Sequence, residues 1–120
     1  MRLNHLNLCV DNLADAREFF ERLFDFQFVE QKGDALAIMT DGHGFTLVLS
    51  RLANAAPISY PKGFHVGFIV ETPGHVDDVY KRLAAADVRL DHEPRKARGS
   101  YAFYFTALNA ILFEVSCPLA

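Results

Sequence analysis

The chain repeats itself. Residues 4–23 lie over residues 64–83 without a gap, at a constant offset of 60. His5 falls on His65, Val10 on Val70, Arg22 on Arg82 and Leu23 on Leu83, while Asp11 meets Glu71 and Phe20 meets Tyr80. Identities are few, but residue classes recur in order. A repeat of this period within 120 residues restricts the chain to two copies of one supersecondary unit.

Each copy opens as a strand followed by an amphipathic helix. In the first, residues 5–10 alternate in the period of a strand. Asp11 or Asn12 then offers a side-chain oxygen to the unpaired N–H groups of a helix start. Ala16, Phe19, Phe20 and Leu23 form an apolar stripe, which predicts a helix over 13–23. In the second copy the strand is 66–70, and Thr72, Pro73 and Gly74 make the turn. Val76, Val79, Tyr80 and Leu83 predict a helix over 76–86.

The remainder of each half reads as three strands. They are expected at 26–31, 35–40 and 45–50, then at 88–93, 101–106 and 111–117, with turns at Gly33-Asp34 and Asp41-Gly42-His43-Gly44. Residues 52–62 hold two prolines and no helical stripe, so they read as a linker. The closing strands also align: 42–50 lies over 108–116, which places Val48 on Glu114. The offset has grown from 60 to 66 because the second half has a longer loop around 93–100. The expected fold is α+β, a single domain over 1–120 made of two βαβββ modules (about 1–51 and 63–120). These would pair into a barrel-like curved sheet.

Bulk properties exclude several functions. A hydrophobic fraction of 51%, with eleven Phe and no Trp, suffices for one aromatic-rich core. The formal charge is −3 without a run of Lys or Arg, so no nucleic-acid partner is expected. No apolar run approaches the roughly 20 residues of a membrane span, and residues 1–5 lack the features of a signal peptide. Cys9 and Cys117 lie in apolar strand-like segments without metal-type spacing, and are expected as reduced, buried thiols of a cytoplasmic protein.

Three polar residues occupy special places in the repeat. His5 and His65 are equivalent, each on the first strand of a module, and Glu114 lies on the last strand of the second. If a pseudo-twofold axis relates the modules, their equivalent faces converge. Two imidazoles and a carboxylate then meet in a facial metal site with open positions. A strand histidine alone is ordinary, but these two coincide in an alignment found from other residues. Glu114 sits within Ile111-Leu112-Phe113-Glu114-Val115, where a carboxylate needs a cation, a donor or water. The fourth equivalent place is Val48, which binds no metal.

These residues sit in motifs that resemble the vicinal oxygen chelate superfamily, whose members include glyoxalases, extradiol dioxygenases and antibiotic-resistance proteins. Residues 3–10 are similar to its opening apolar–His–apolar strand, and Asn12-Leu13-Ala14-Asp15-Ala16-Arg17-Glu18-Phe19-Phe20 to the family's D-L-x-x-S/A-x-x-F-Y. The family's L-G-F is Phe24-Asp25-Phe26 here. Its closing F-Y-F-x-D-P-D-G-x-x-x-E is matched by Phe103-Tyr104-Phe105 and Glu114, with Ala107-Leu108-Asn109-Ala110 replacing the polar turn.

The resemblance covers the whole chain. It implies one divalent ion, of iron, manganese, zinc or nickel, held by His5, His65 and Glu114. Val48 at the fourth position argues against glyoxalase I activity, which uses four protein ligands. Dioxygenases and fosfomycin-modifying thiol transferases use the His, His, Glu subset and place a tyrosine where this chain has Tyr104. That residue would orient the substrate or donate a hydrogen bond. The chain departs from both. His92 is out of register with the dioxygenases' catalytic histidine. Ala102 replaces a hydroxyl residue of the fosfomycin enzymes, and their basic residue beyond the Glu has no counterpart before Ala120.

Further polar residues are candidates for substrate contact. Asn7 shares strand parity with His5, and Arg51 follows the strand of Val48. Arg95, Lys96, Arg98, Gly99 and Ser100 form a basic loop, either an acceptor for an anionic group or a solvated surface; Arg98 and Ser100 are the candidates there. His43 is expected in an exposed turn and His75 at a helix start.

Two functions follow from the family. One is a metal-dependent enzyme, dioxygenase-like or thiol-transferase-like, chelating neighbouring oxygens of a small-molecule substrate. The other is a metal-free protein of the bleomycin-resistance type that sequesters a small molecule in an aromatic cleft. A homodimer is expected, with modules paired within a chain or exchanged between chains.

Overall fold

The computed structural model describes residues 1–51, 58–109 and 111–120. The chain divides into two compact units, Met1–Ile58 and Ser59–Ala120. Each is one βαβββ module, so the repeat seen in the sequence is a repeat of structure.

The first unit runs β1 (His5–Cys9), α1 (Leu13–Phe24), β2 (Gln27–Lys32), β3 (Leu36–Thr40) and β4 (Thr46–Ser50). Its sheet has the order β1-β4-β3-β2, with β1 parallel to β4 and the other pairs antiparallel. The parallel pair forms because α1 and the next two strands carry the chain back across the sheet. Asn12 caps α1 by accepting from the Asp15 N–H. Leu13, Ala16, Phe19, Phe20 and Leu23 bury the helix's apolar side, and Leu8, Ala37, Met39, Leu47 and Leu49 are the buried residues of the strands. Phe20 meets Phe19 edge-on at 5.2 Å and Phe26 at 5.5 Å, arrangements that suit the ring quadrupoles.

The second unit runs β5 (His65–Ile69), α2 (Pro73–Ala85), β6 (Arg95–Ala97), β7 (Ser100–Ala107) and β8 (Ile111–Pro118), with sheet order β5-β8-β7-β6. Thr72 caps α2, and Pro73 fits the first turn, where its missing N–H is no loss. Val76, Val79 and Leu83 bury the helix against β7 and β8. Phe103, Phe105 and Phe113 are fully buried, with neighbouring rings stacked at 5.8 and 5.4 Å.

One expected strand does not form. Residues 88–93 are irregular, and the short β6 lies instead in the stretch expected as a loop. Three local causes act against the expected strand. Asp87 is left-handed (φ 60°), the Val88 N–H is taken by Leu83 O, and Pro94 brings no N–H. The linker expected at 52–62 falls partly on residues 52–57, outside the described residues. Cys117 is buried, whereas Cys9 is only half-buried, because its strand parity places it on the face away from α1. His43 is exposed in its turn and His75 lies exposed in the first turn of α2.

Candidate functional site

Strand register decides which side chains share the face that each sheet turns away from its helix. In the second unit Gly67, Glu114 and Tyr104 lie in one row across β5, β8 and β7, and His65, Leu112 and Thr106 in the next. Val66, Phe113 and Phe105 point the other way; the two Phe are buried on the α2 side. An acid in an apolar strand is thus explained by parity: Phe113 and Val115 are core, and Glu114 between them is not.

His65 Nε2 lies 3.8 Å from Glu114 Oε1. The imidazole is fixed by its other nitrogen, since Nδ1 donates to Gly63 O at 2.9 Å. That leaves Nε2 as the nitrogen on the Glu114 side, the way a metal-ligating histidine is held. Two bonds of about 2.0–2.2 Å span up to roughly 4.4 Å, so one ion can touch both atoms. Gly67 lies beside Glu114 in this row, and a Cβ there would make only ordinary contact with Glu114 Oε1, at 3.6 Å. The donor set and its geometry therefore fit a divalent cation with vacant positions.

Tyr104 completes the group. Its ring meets that of His65 edge-on at 5.7 Å. Hydrogen bonding to Glu114 pushes its phenol pKa up, desolvation and the Glu114 charge push the same way, and Arg98 pulls it partly back. The phenol is therefore protonated at neutral pH and able to donate. His92, through Nε2, accepts the Tyr104 backbone N–H at 3.4 Å, and its Nδ1 donates to Glu93 O at 2.8 Å. An imidazole thus stands beside β7 where the expected strand would have paired. A cavity of about 390 Å³ opens on this face, lined by Glu114, Tyr104, Ser100, Arg98, Arg95 and His92, with two alanines.

In the first unit His5 and Asn7 also lie on the face away from the helix, since Leu8 between Asn7 and Cys9 is the buried residue. His5 is exposed, and its Nδ1 donates to Asn4 Oδ1 at 2.8 Å. Asn7 Oδ1 accepts from the Ser50 hydroxyl. Val48 shares a row with Asn7 and Ile38, so the fourth equivalent position is apolar. Arg51 stands apart. It follows the end of β4 remote from Thr46, the partner of His5, and lines a cavity of about 350 Å³ with Asp11, Asn12, Gln31 and Asp34 at the start of α1.

The second unit therefore brings together His65, Glu114, Tyr104, Arg98 and Ser100, while within the first unit Arg51 is separated from His5 and Asn7. Among the described residues of either unit, no three of His, Cys, Asp and Glu cluster as metal ligands. Sequence reasoning placed Arg95 in the basic loop but not among the substrate-contact candidates; its place in the cavity wall follows from parity once β6 is placed.

Two βαβββ units, each a mixed four-stranded sheet with one helix, define the paired-module class of α+β proteins. A sequence profile of the Glyoxalase/Bleomycin resistance protein/Dioxygenase superfamily matches residues 2–115, and the chain belongs to that superfamily. A possible glyoxalase from Bacillus cereus is similar over 98% of this chain and 99% of its own, at 38% identity and a TM-score of 0.85. A genomically encoded fosfomycin resistance protein from Listeria monocytogenes shares the fold at 20% identity and a TM-score of 0.80, over 97% and 90% of the two chains. A lactoylglutathione lyase from Agrobacterium tumefaciens does so at 22% and 0.77, over 97% and 92%. Among the described residues no helix is long and apolar enough to cross a membrane.

Proposed function

We propose that this protein is a metal-dependent enzyme acting on a small molecule with two neighbouring oxygens, through a divalent ion held by His65 and Glu114 of the second module and His5 of the first. The observation that carries this is the pairing of a tautomer-fixed His65 Nε2 with Glu114 Oε1 at 3.8 Å on one sheet face. Iron, manganese, zinc and nickel all suit two imidazoles and a carboxylate. When bound, such an ion polarises substrate oxygens and stabilises developing negative charge.

The chain's own residues supply the rest. Tyr104 keeps its proton and donates a hydrogen bond to a substrate oxygen or its oxyanion. Arg98 and Ser100 contact the substrate from the cavity wall, and Asn7 does so from the first module. Val48 leaves the fourth position without a protein ligand, which favours a dioxygenase-like or thiol-transferase-like site over a glyoxalase I site. Cytoplasmic location and function as a homodimer go with this reading.

The test is metal content and affinity. Protein purified without added metal should retain metal in stoichiometric proportion. Glu114→Gln keeps the shape of the side chain but removes its charge, so it should lower affinity by at least about tenfold while stability changes by less than about 1 kcal/mol. Unchanged affinity in this variant would remove the metalloenzyme reading in favour of a metal-free sequestering protein of the bleomycin-resistance type.

A further inference from the structure

We propose that the β6–β7 hairpin carries an oxyanion clamp, in which Arg95 and Arg98 grip the carboxylate or phosphate-type group of a small organic acid. The neutral oxygens of that acid would reach Tyr104 and Glu114; this part alone rests on the function proposed above. The substrate class is then a compact anion rather than a neutral molecule.

Parity selects the residues. Arg95 pairs with Ala102, and both line the cavity on the face of Tyr104 and Glu114. Lys96 pairs with Tyr101, whose hydroxyl donates to Asp77 of α2, so Lys96 belongs to the opposite face. Of these three basic residues, Arg95 and Arg98 line the cavity and Lys96 does not. Glu114 is the only carboxylate among the described lining residues, and no described carboxylate forms an ion pair with Arg95 or Arg98. Two exposed arginines that line one concavity and form no described ion pair can receive a carboxylate or phosphate through paired N–H donors. The volume of about 390 Å³ suits a small ligand.

The turn adds an independent observation. Ala97 pairs with Ser100, so Arg98 and Gly99 form a two-residue loop, and both have positive φ (51° and 76°). Asn-Gly is the favoured pair for such a turn. An arginine held in the left-handed region strains the backbone, and its side chain lines the cavity.

The experiment is an NMR titration of the full chain, freed of metal by chelation, with sodium phosphate and with sodium malonate at constant ionic strength. Backbone amides of residues 97–102 should shift saturably with one of these probes, and the tighter one assigns the class of oxyanion. Arg95→Gln and Arg98→Asn should each weaken that binding by about tenfold, the usual effect of losing a charge-assisted pair. Lys96→Gln should change it by less than about twofold. Arg98→Asn should also melt no lower than the parent, since it relaxes the turn. Shifts that never saturate with either probe, or an equal loss in Lys96→Gln, would overturn the clamp. Glu114→Gln separates the two proposals, because it removes a negative charge from the same cavity and should leave or strengthen anion binding. In this variant, unchanged metal affinity with retained anion binding sinks the metal site alone; lowered metal affinity with lost anion binding sinks the clamp alone.

Discussion

Asp25 shows how much one residue can encode. It closes α1 in the left-handed conformation, φ 59° and ψ 26°, with its own N–H and that of Phe26 both directed to Phe20 O. Glycine is the usual residue at such a closure because it has no Cβ to clash. The motif that this stretch resembles has glycine there, and the chain keeps the geometry without it. Asp25→Gly should therefore raise stability by up to about 1 kcal/mol, the left-handed penalty being partly offset by a more flexible unfolded chain. Urea denaturation checks this, and a lower midpoint would show that the Asp25 side chain contributes more than its backbone costs. Glu114 is the other instructive residue. Its place was legible in sequence as an acid among apolar neighbours, but its pairing with Tyr104 was not, because a cross-strand neighbour is known only once the register of β7 and β8 is known.

At the scale of elements, both helices were legible because their stripes repeat at 3.6 residues and polar caps precede them. The helix expected over 13–23 is Leu13–Phe24, and that expected over 76–86 is Pro73–Ala85. The strand expected over 88–93 was misread because Val88, Leu90 and His92 alternate in strand period while backbone constraints on either side prevent pairing. The three-residue β6 has no apolar alternation to reveal it, being an exposed edge closed by a tight turn. The sorting of Arg95 from Lys96 was therefore hidden, since only the parity of β6 separates them. α2 and β7 are also tied by a polar contact, the Tyr101 hydroxyl donating to Asp77 Oδ1 at 2.7 Å. This bond, desolvation, and the charges of Asp77 and Glu93 raise the Tyr101 pKa above its ordinary value. The folded state thus binds this proton more tightly than the unfolded state. The contribution is fully present below the ordinary phenol pKa of about 10 and is lost as pH rises through the raised value. Tyr101→Phe should abolish that part of the alkaline stability loss; equal alkaline profiles for the two proteins would contradict it.

For the whole molecule, the repeat makes two units that each cover one sheet face with a helix. The proposed site draws ligands from both units, and the proposed homodimer accommodates pairing of modules within a chain or between chains. Sedimentation at micromolar concentration should show a species of twice the chain mass, and a monomer alone would contradict the dimer. The central claim is that His5, on one unit, shares an ion with His65 and Glu114 on the other. Calorimetric titration of manganese or zinc into the metal-free protein and its His5→Ala variant tests it most directly. The parent should bind about one ion per site, and His5→Ala should lose at least about a hundredfold in affinity, beyond the roughly 10–100-fold effect of residues that only support a ligand. Binding by His5→Ala as tight as that of the parent would contradict the shared site.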